Sequence, residues 1–524
     1  MSLKTNNKDI VLIIILLITS VSFNQYYGNI GVQPIDSFFP FNSGYDVLNG
    51  NYPFKDYWTI TGPFLDIVQA AFFKLFNVSW FSYVLHASIF NFVFTIYFFY
   101  VLKKFKLNLS YCFLYALCLS ILAYPSAGTP YVDHQSSYMS TMAILCFIYA
   151  LKFNSNLSWF FLPIIIGLSF LTKQAPTGYI FLLISFLSLI YFLFNFNLKN
   201  ILFGLFGSIS VILFFFLFLF LGKIPLTSFV EQYILFPISF GGSRLGEGFL
   251  FPLEFQRIIM RFKLIHLSWI ILGIVIIKNS KNNYKYFISN EFLILFSLIA
   301  LVFLMIGHQL MTINGLYIFF LIPILLGFSH IYFEKYFKKK TINSYFLLTL
   351  LLVSTIYYGF KYIDKRNFMD LDSVNISKAI NANSLDEKLN GLKWITPQYP
   401  DNPSVEIANL KKILNILEKD NTKKIIVTDY QFISVILSQY DNSPNKVWYS
   451  FHVYPSKNDK YFKTYKNFFI KKIKERKIET VYTIKPLYGD DDVLKNILSK
   501  DCIKKITINK NLIKQNLLKC KELM

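Results

Sequence analysis

Residues 200–221 read NILFGLFGSISVILFFFLFLFL, a run without a charged side chain. A helix needs roughly 20 such residues to cross the hydrocarbon core of a bilayer, so this stretch predicts a membrane-spanning helix. The whole chain has a matching composition: its 524 residues are 54% hydrophobic and 19% aromatic, with a mean hydropathy of +0.44. We therefore expect a polytopic α-helical membrane protein.

Outward from this run, apolar length marks about eleven transmembrane helices in the first 360 residues. They lie near residues 9–23, 80–102, 110–124, 138–151, 158–172, 177–194, 200–221, 264–278, 287–306, 314–333 and 342–360. The first follows Lys4 and Lys8 and lacks the small residues of a signal-peptide cleavage site, so we expect it to remain as a span.

Lysine marks every second loop, which sets a predicted orientation. The lysine-bearing loops are 103–106, 152–157, 195–200, 278–286 and 334–340. Positive loops face the cytoplasm, so the N-terminus is predicted to be inside and the chain after Lys361 outside. The formal net charge of +22 is explained in this way, and we exclude a nucleic-acid partner because no binding signature accompanies it.

The chain is predicted to have three parts: a transmembrane domain at 1–360, a linker at 361–394 and an extracytoplasmic α/β domain at 395–524. Within the first part, outer loop 24–79 is expected to hold two interfacial helices, near 36–48 and 63–76. In the tail, β-rich runs at 423–428 and 479–484 alternate with helical patterns at 405–418, 460–476 and 491–499, which predicts a parallel or mixed sheet.

Cysteines separate into two groups. Cys112, Cys118 and Cys146 fall in spans and are expected to pack as small apolar groups. Cys502 and Cys520 fall in the outer tail, where an oxidising compartment would allow a disulfide; the sequence leaves open whether they pair.

Carboxylates of the membrane domain gather in the predicted outer loops. They include Asp36, Asp46, Asp56, Asp66, Asp133, Glu231, Glu247 and Glu254. An ion-driven transporter usually places ionisable groups at mid-membrane, so this distribution favours chemistry at the outer surface.

The first outer loop contains PIDSFFP at 34–40, YDVLNGNYPFKDYW at 45–58 and GPF at 62–64. This layout resembles the first loop of the C-type superfamily of integral-membrane glycosyltransferases, which includes protein mannosyltransferases and the aminoarabinose transferases of lipid A. The resemblance covers roughly residues 1–220 by layout. It implies a polyprenyl-phosphate sugar donor, an active site on the outer face and Asp36 as the catalytic group. The chain has Asp36-Ser37 where the mannosyltransferases have Asp-Glu.

Glycosyl transfer to a hydroxyl needs a base for the acceptor proton and cations for the departing phosphate. Asp36 is the candidate base, with a helix N-cap as the alternative. Lys173 is the first candidate for the phosphate because a lone outer lysine breaks the inward bias; lipid-headgroup snorkelling is the alternative. Arg244, Arg257 and Arg261 are further cationic candidates.

Asp56, Asp133 and His134 are candidates for binding the acceptor or a divalent cation, Mg or Mn, although no cofactor is required. A helix cap is the alternative for Asp56 and for Asp133. The glycine-rich segment 241–248 is a lid or a plain connector. The polar turn 307–314 lines a groove for acceptor or lipid in one interpretation and is an ordinary loop in the other.

Together these observations predict a glycosyltransferase of the bacterial inner membrane that acts at its outer face. Its partners would be a polyprenyl-phosphate sugar, a lipid or glycan acceptor and membrane lipids. A lipid-linked glycan flippase or exporter is one alternative. Such a protein should have cationic residues inside its spans, and this chain has almost none there. A polysaccharide polymerase or ligase is the other.

Overall fold

The computed structural model describes residues 7–239, 255–281, 283–312, 314–337, 340–438, 443–445, 453–487 and 493–523. The chain divides into two compact units. Unit 1 comprises Met1–Gly28, Val84–Phe215 and Leu250–Asp372, and unit 2 comprises Asn29–Tyr83, Phe216–Phe249 and Ser373–Met524.

Among the described residues, ten helices are long and apolar enough to cross a membrane. They are Asn7–Gly28, Trp80–Lys104, Leu109–Ser126, Val132–Phe153, Gln174–Phe194, Leu198–Gly222, Lys263–Ser280, Asn290–Thr312, Ile318–Tyr336 and Ile342–Met369. The shorter apolar helix Asn156–Phe170 is the eleventh. Each overlaps one predicted span, so the polytopic helical architecture is confirmed.

Short polar residues between the spans set the helix ends. The Asn108 side chain accepts a hydrogen bond of 2.9 Å from the Ser110 amide, which caps the helix that begins at Leu109. Asn154 adopts the left-handed conformation and ends Val132–Phe153, and Ser155 then caps Asn156–Phe170 through the Ser158 amide. These caps let two spans follow each other with almost no connecting chain.

Contacts in unit 1 gather the predicted inner loops at one end of the helices. Lys103 lies 2.6 Å from Asp9, and Asn290 donates to the carbonyl of Leu151 at 3.1 Å. Predicted outer segments meet at the other end, where the buried Arg366 guanidinium donates to the carbonyls of residues 125–127. The chain therefore alternates between two ends as the lysine pattern requires.

Unit 2 joins the first outer loop to the C-terminal tail, which differs from the linear division expected at 361 and 395. Backbone amides explain the grouping: Gly31 donates to Lys393 at 2.9 Å and Val32 to Ile395 at 3.0 Å. The loop itself forms the helices Pro34–Ser37, Phe39–Leu48 and Phe64–Phe76. The segment expected to be a linker contains 3₁₀ turns, and its residues up to Asp372 belong to unit 1.

The tail contains the expected mixed sheet. Its strands are β1 (Ile380–Asn381), β2 (Lys393–Trp394), β3 (Lys424–Val427), β4 (Thr480–Ile484), β5 (Ile503–Asn509) and β6 (Leu512–Leu517). β1 and β2 form a separate antiparallel pair, and the larger sheet has the order β3-β4-β6-β5 with β3 and β4 parallel. The helices Pro403–Lys419, Phe432–Ile436 and Phe462–Arg476 accompany it.

Two features of the tail differ from expectation. The described part of 491–499 forms only the 3₁₀ turn Val493–Asn496, because Leu494, Ile497 and Leu498 already reach the core from a short turn. The hairpin of β5 and β6 was not predicted, since β5 is largely exposed and lacks the alternation of a half-buried strand. Cys502 and Cys520 form a disulfide beside this hairpin.

Close packing of two neighbouring spans provides a test. A Cβ on Gly207 would lie 2.0 Å from the Phe160 carbonyl oxygen, whereas a Cβ on Gly204, one turn earlier, would meet nothing nearer than 3.8 Å. We expect Gly207→Ala to force its helix away from the helix of Phe160 and to lower the free energy of unfolding by about 1–3 kcal/mol. Thermal unfolding of the detergent-solubilised protein measures this, with Gly204→Ala as the matched control. Equal melting temperatures for the two variants would contradict the packing.

Candidate functional site

A buried carboxylate organises the predicted outer end of unit 1. Asp133 lies in the first turn of Val132–Phe153, and its side chain is 3% exposed. Its Oδ1 accepts from the Lys173 ammonium and lies 3.1 Å from His308 Nε2, and its Oδ2 accepts from Asn314 Nδ2 at 3.1 Å. We call Asp133, Lys173, His308 and Asn314 the Asp133 cluster.

Each of these groups acts as a donor toward Asp133. A carboxylate can only accept, so the Nε2 of His308 must carry the hydrogen of that contact. Charge-assisted hydrogen bonds of this kind are stronger than neutral ones, and a buried carboxylate needs them to offset its lost hydration. The cluster is therefore a satisfied ion pair with two supporting donors.

Lys173 lies at the break between Asn156–Phe170 and Gln174–Phe194, with extended backbone at φ −157°. Hydroxyl groups fix the break against Val132–Phe153. Ser169 Oγ donates to the Ser136 carbonyl at 3.0 Å and lies 3.1 Å from Ser140 Oγ and 2.7 Å from Thr177 Oγ1. Such interhelical hydroxyl contacts are common where membrane helices pack closely. The base of the lysine side chain is thus held in place.

The other two members come from the last turn of Asn290–Thr312 and the loop after it. Gln309 fixes this loop, because its Nε2 donates to the carbonyl of Asn314 at 3.1 Å and its Oε1 accepts from the Tyr317 amide at 3.2 Å. Arg261 Nη2 also donates to the Asn314 carbonyl, at 3.1 Å. His308 and Asn314 fall within the polar turn at 307–314. The polarity of this turn is their signal in the sequence, which does not distinguish the two residues from their neighbours.

The members of the cluster differ in exposure. Asp133 and His308 are sealed, with side chains 3% and 1% exposed, whereas that of Lys173 is 25% exposed. The Lys173 side chain is therefore partly open to its surroundings, whereas the carboxylate with which it pairs is closed off. Arg261 adds a second cation through Asn314; burial, chiefly, and the nearby Arg257 lower the pKa of its guanidinium, which still stays protonated at neutral pH.

His134 follows Asp133 in the chain but does not join the cluster. Its ring stacks on Tyr317 at 4.3 Å between centroids and meets the edge of Phe368 at 4.4 Å. Its Nε2 lies 3.0 Å from Ser126 Oγ. Successive residues of a helix point about 100° apart, which separates the two side chains. These contacts are those of an interior packing residue.

The arrangement around Asp133 does not fit a divalent cation, because the Lys173 ammonium lies where such an ion would bind and both carboxylate oxygens already have donors. Over the part of the chain that the structure describes, the group of three with suitable ligand spacing is Cys502, Cys520 and Glu522. Its two sulfurs are joined in the disulfide and are not available as thiolates.

The remaining candidates lie elsewhere. Asp36, in unit 2, is half-buried within Pro34–Ser37. The residues at the N-caps of this helix and the next are Gln33 and Phe38, so Asp36 caps neither. Asp56, also in unit 2, closes a turn: its Oδ2 accepts from the Tyr52 amide at 2.9 Å, and Lys472 lies 3.8 Å from its Oδ1. These contacts favour a structural role for Asp56.

The cationic and glycine-rich candidates of the long loop are only partly described. Arg257 lies in the π-helix Gln256–Met260 of unit 1. Arg244 and the segment 241–248, with Glu247 and Glu254, lie outside the described residues.

Comparisons with known proteins give a likeness of fold. Solved structures similar to the chain include three of the oligosaccharyltransferase of Archaeoglobus fulgidus. The complex with zinc and sulfate is 14% identical, with a TM-score of 0.44 over 90% of this chain and 68% of that chain. The complex of archaeal AglB with an inhibitory peptide and a dolichol-phosphate is 12% identical, with a TM-score of 0.44 over 92% and 70%. The form tethered to an acceptor peptide by a disulfide is 14% identical, with a TM-score of 0.40 over 91% and 69%.

No protein-family model and no curated protein matches the chain. Identities and TM-scores this low say nothing about activity. A proposal about activity has to be argued from the residues of the Asp133 cluster and of the first outer loop.

The ion pair in the cluster can be tested by its effect on stability. Lys173→Met leaves the buried Asp133 carboxylate without its cation, and we expect a loss of about 3–5 kcal/mol in the free energy of unfolding. Asp133→Asn in the same chain removes the stranded charge and should restore much of that stability. Thermal unfolding of the two single variants and the double variant measures the coupling. Additive losses in the double variant would show that the two side chains do not interact.

Proposed function

We propose that the protein is a membrane glycosyltransferase that moves a sugar from a polyprenyl-phosphate donor to a hydroxyl group of a lipid or glycan acceptor. The observation that carries this proposal is the position of Lys173. This cation lies at a helix break that hydroxyl contacts hold in place. Its side chain is partly exposed, so that an anion can reach it. The resemblance of the first outer loop to the C-type superfamily supplies the reaction class.

Lys173 is proposed to hold the donor phosphate. Its neighbours at the same end of unit 1 include Arg261, joined to the cluster through Asn314. As the bond between the sugar carbon and the phosphate oxygen breaks, negative charge grows on the phosphate. A cation that is already in place stabilises that charge without reorganisation.

The reaction is a single displacement. The acceptor hydroxyl oxygen forms a bond to the anomeric carbon, the bond from that carbon to the phosphate oxygen breaks, and polyprenyl phosphate leaves. The acceptor proton passes to a carboxylate, a role that the resemblance gives to Asp36. One displacement inverts the anomeric carbon. No step of this reaction uses a divalent cation at Asp133, since the contacts of this carboxylate do not fit one.

We also propose that the protein lies in a bacterial inner membrane with its N-terminus in the cytoplasm and its C-terminal domain in the periplasm. Two observations support this orientation. The lysine-bearing loops gather at one end of unit 1, and the Asp133 cluster lies at the other. The disulfide of Cys502 and Cys520 suits an oxidising compartment for the tail.

Transfer activity tests the proposed role of Lys173. Membranes are incubated with radiolabelled polyprenyl-phosphate sugars, and kcat/KM is then compared for the purified variants. Lys173→Ala should lose at least about tenfold in kcat/KM, or roughly 1.4 kcal/mol of transition-state stabilisation. Lys173→Arg should recover part of that loss because the charge is kept while the geometry changes.

Two further variants complete that assay. Lys285→Ala, an exposed lysine in the turn Tyr284–Ile288, is the matched control and should transfer like the unmodified protein. Asp36→Asn should abolish transfer while the melting temperature stays unchanged. Normal transfer by Lys173→Ala would reduce this residue to an interfacial anchor and overturn the proposal.

The orientation has a separate test. A reporter that is active only in the periplasm, fused after Met524, should be active, because eleven spans from a cytoplasmic N-terminus end outside. The same reporter fused within the predicted inner loop at 195–200 should be silent. Activity of a cytoplasmic reporter at the C-terminus would reverse the orientation and move the Asp133 cluster to the inner face.

A further inference from the structure

The predicted outer end of unit 1 combines cations with a buried carboxylate. The Asp133 cluster and Arg261 together contain two cations, Lys173 and Arg261, and one carboxylate. Asp133 cannot withdraw when an anion arrives, because His308 and Asn314 hold both of its oxygens. Its negative charge therefore lies beside the Lys173 ammonium.

The phosphate changes its charge in the proposed reaction. A polyprenyl-phosphate sugar is a phosphodiester with one negative charge. The polyprenyl phosphate that leaves is a monoester, and with a second pKa near 6 it carries about 1.5 to 2 negative charges at neutral pH. Coulomb energies scale with the product of the charges, so Asp133 repels the product about twice as strongly as the donor.

We propose that Asp133 is the specificity-determining charge of this site: it lets Lys173 hold a monoanionic phosphodiester and weakens the hold on the dianionic monoester, which promotes product release. This inference rests on the proposed function of Lys173. The two cations stabilise the charge that develops as the bond breaks, and Asp133 limits how tightly the resulting dianion is kept. Burial strengthens the effect because the interior screens charges less than water does.

Binding of two small prenyl phosphates to the purified full-length chain tests the proposal without any transfer step. The probes are farnesyl phosphate, a monoester, and its methyl ester, a monoanionic diester, with dissociation constants from titration calorimetry in detergent. At pH 7.5, Asp133→Asn should tighten the methyl ester about threefold and farnesyl phosphate about tenfold, because the second gain is the square of the first. The ratio of the two constants should therefore shift by about threefold.

A control and a measurement on the unmodified chain accompany this. Glu334→Gln removes one carboxylate at the opposite end of unit 1, where the side chain is 35% exposed, and should leave both constants unchanged. In the unmodified chain, the affinity for farnesyl phosphate relative to the methyl ester should rise only weakly from about pH 5 to pH 7.5, because Asp133 offsets one of the two cations that attract the second charge of the monoester. The rise should be about threefold larger in Asp133→Asn. The titratable groups that interact with Asp133, namely Lys173, His308, His134 and Tyr317, are present with both probes.

Each outcome decides one statement. If the unmodified chain binds neither probe, the proposed phosphate site fails and this inference fails with it. If both probes bind but Asp133→Asn leaves their ratio unchanged, Asp133 does not discriminate, and only this inference is overturned. If Asp133→Asn does not fold, the pH series of the unmodified chain decides: a relative affinity for farnesyl phosphate that rises by about tenfold or more between pH 5 and pH 7.5 overturns the inference.

Discussion

A carboxylate sealed at the end of a bundle of apolar helices needs a compensating charge beside it, and this constraint shapes the end of unit 1 at which Val132–Phe153 begins. Asp133 gains a cation from the break at Lys173 and hydrogen bonds from His308 and Asn314. Removing one partner from such a pair leaves an uncompensated charge, which costs far more than the intact pair contributes. Two separate segments of the chain, the break at Lys173 and the turn at 307–314, are thereby tied to the side chain of Asp133.

Deeper among the same helices, hydroxyl groups rather than charged groups make the polar contacts. Below the cluster, contacts between Val132–Phe153 and its neighbours are made by Ser140, Ser169 and Thr177, which are buried and hydrogen-bonded to each other. Hydroxyl groups satisfy one another within a protein interior at little cost, whereas an ionised group at this depth is expensive. In this part of unit 1 the charged side chains of the cluster therefore lie at the helix ends, where Lys173 pairs with Asp133.

In unit 2 the constraint is the backbone. Backbone amides of the first outer loop need hydrogen-bond partners once they are buried. The loop finds such partners in the tail, where Ile30 forms a β-bridge with Lys393. Aromatic packing follows: Phe38 stacks on Trp394 at 5.8 Å, and Trp58 enters the core formed by Tyr465 and Phe469. The loop that carries Asp36 is thus built into a domain with the C-terminal sheet.

The sequence by itself determined the eleven spans, their alternation between two ends and the strands β3 and β4, because hydropathy, lysine bias and β-rich runs are local properties. It also singled out Lys173, a lone lysine against the inward bias. Only the tertiary structure decided what Lys173 meets. Asp133 lies 40 residues away from it, and His308 and Asn314 lie 175 and 181 residues from Asp133. Helix packing, which hydropathy does not encode, brings them together. The place of His134 beside Asp133 in the chain predicts a shared site, yet the turn of the helix directs its ring to Tyr317 and Phe368.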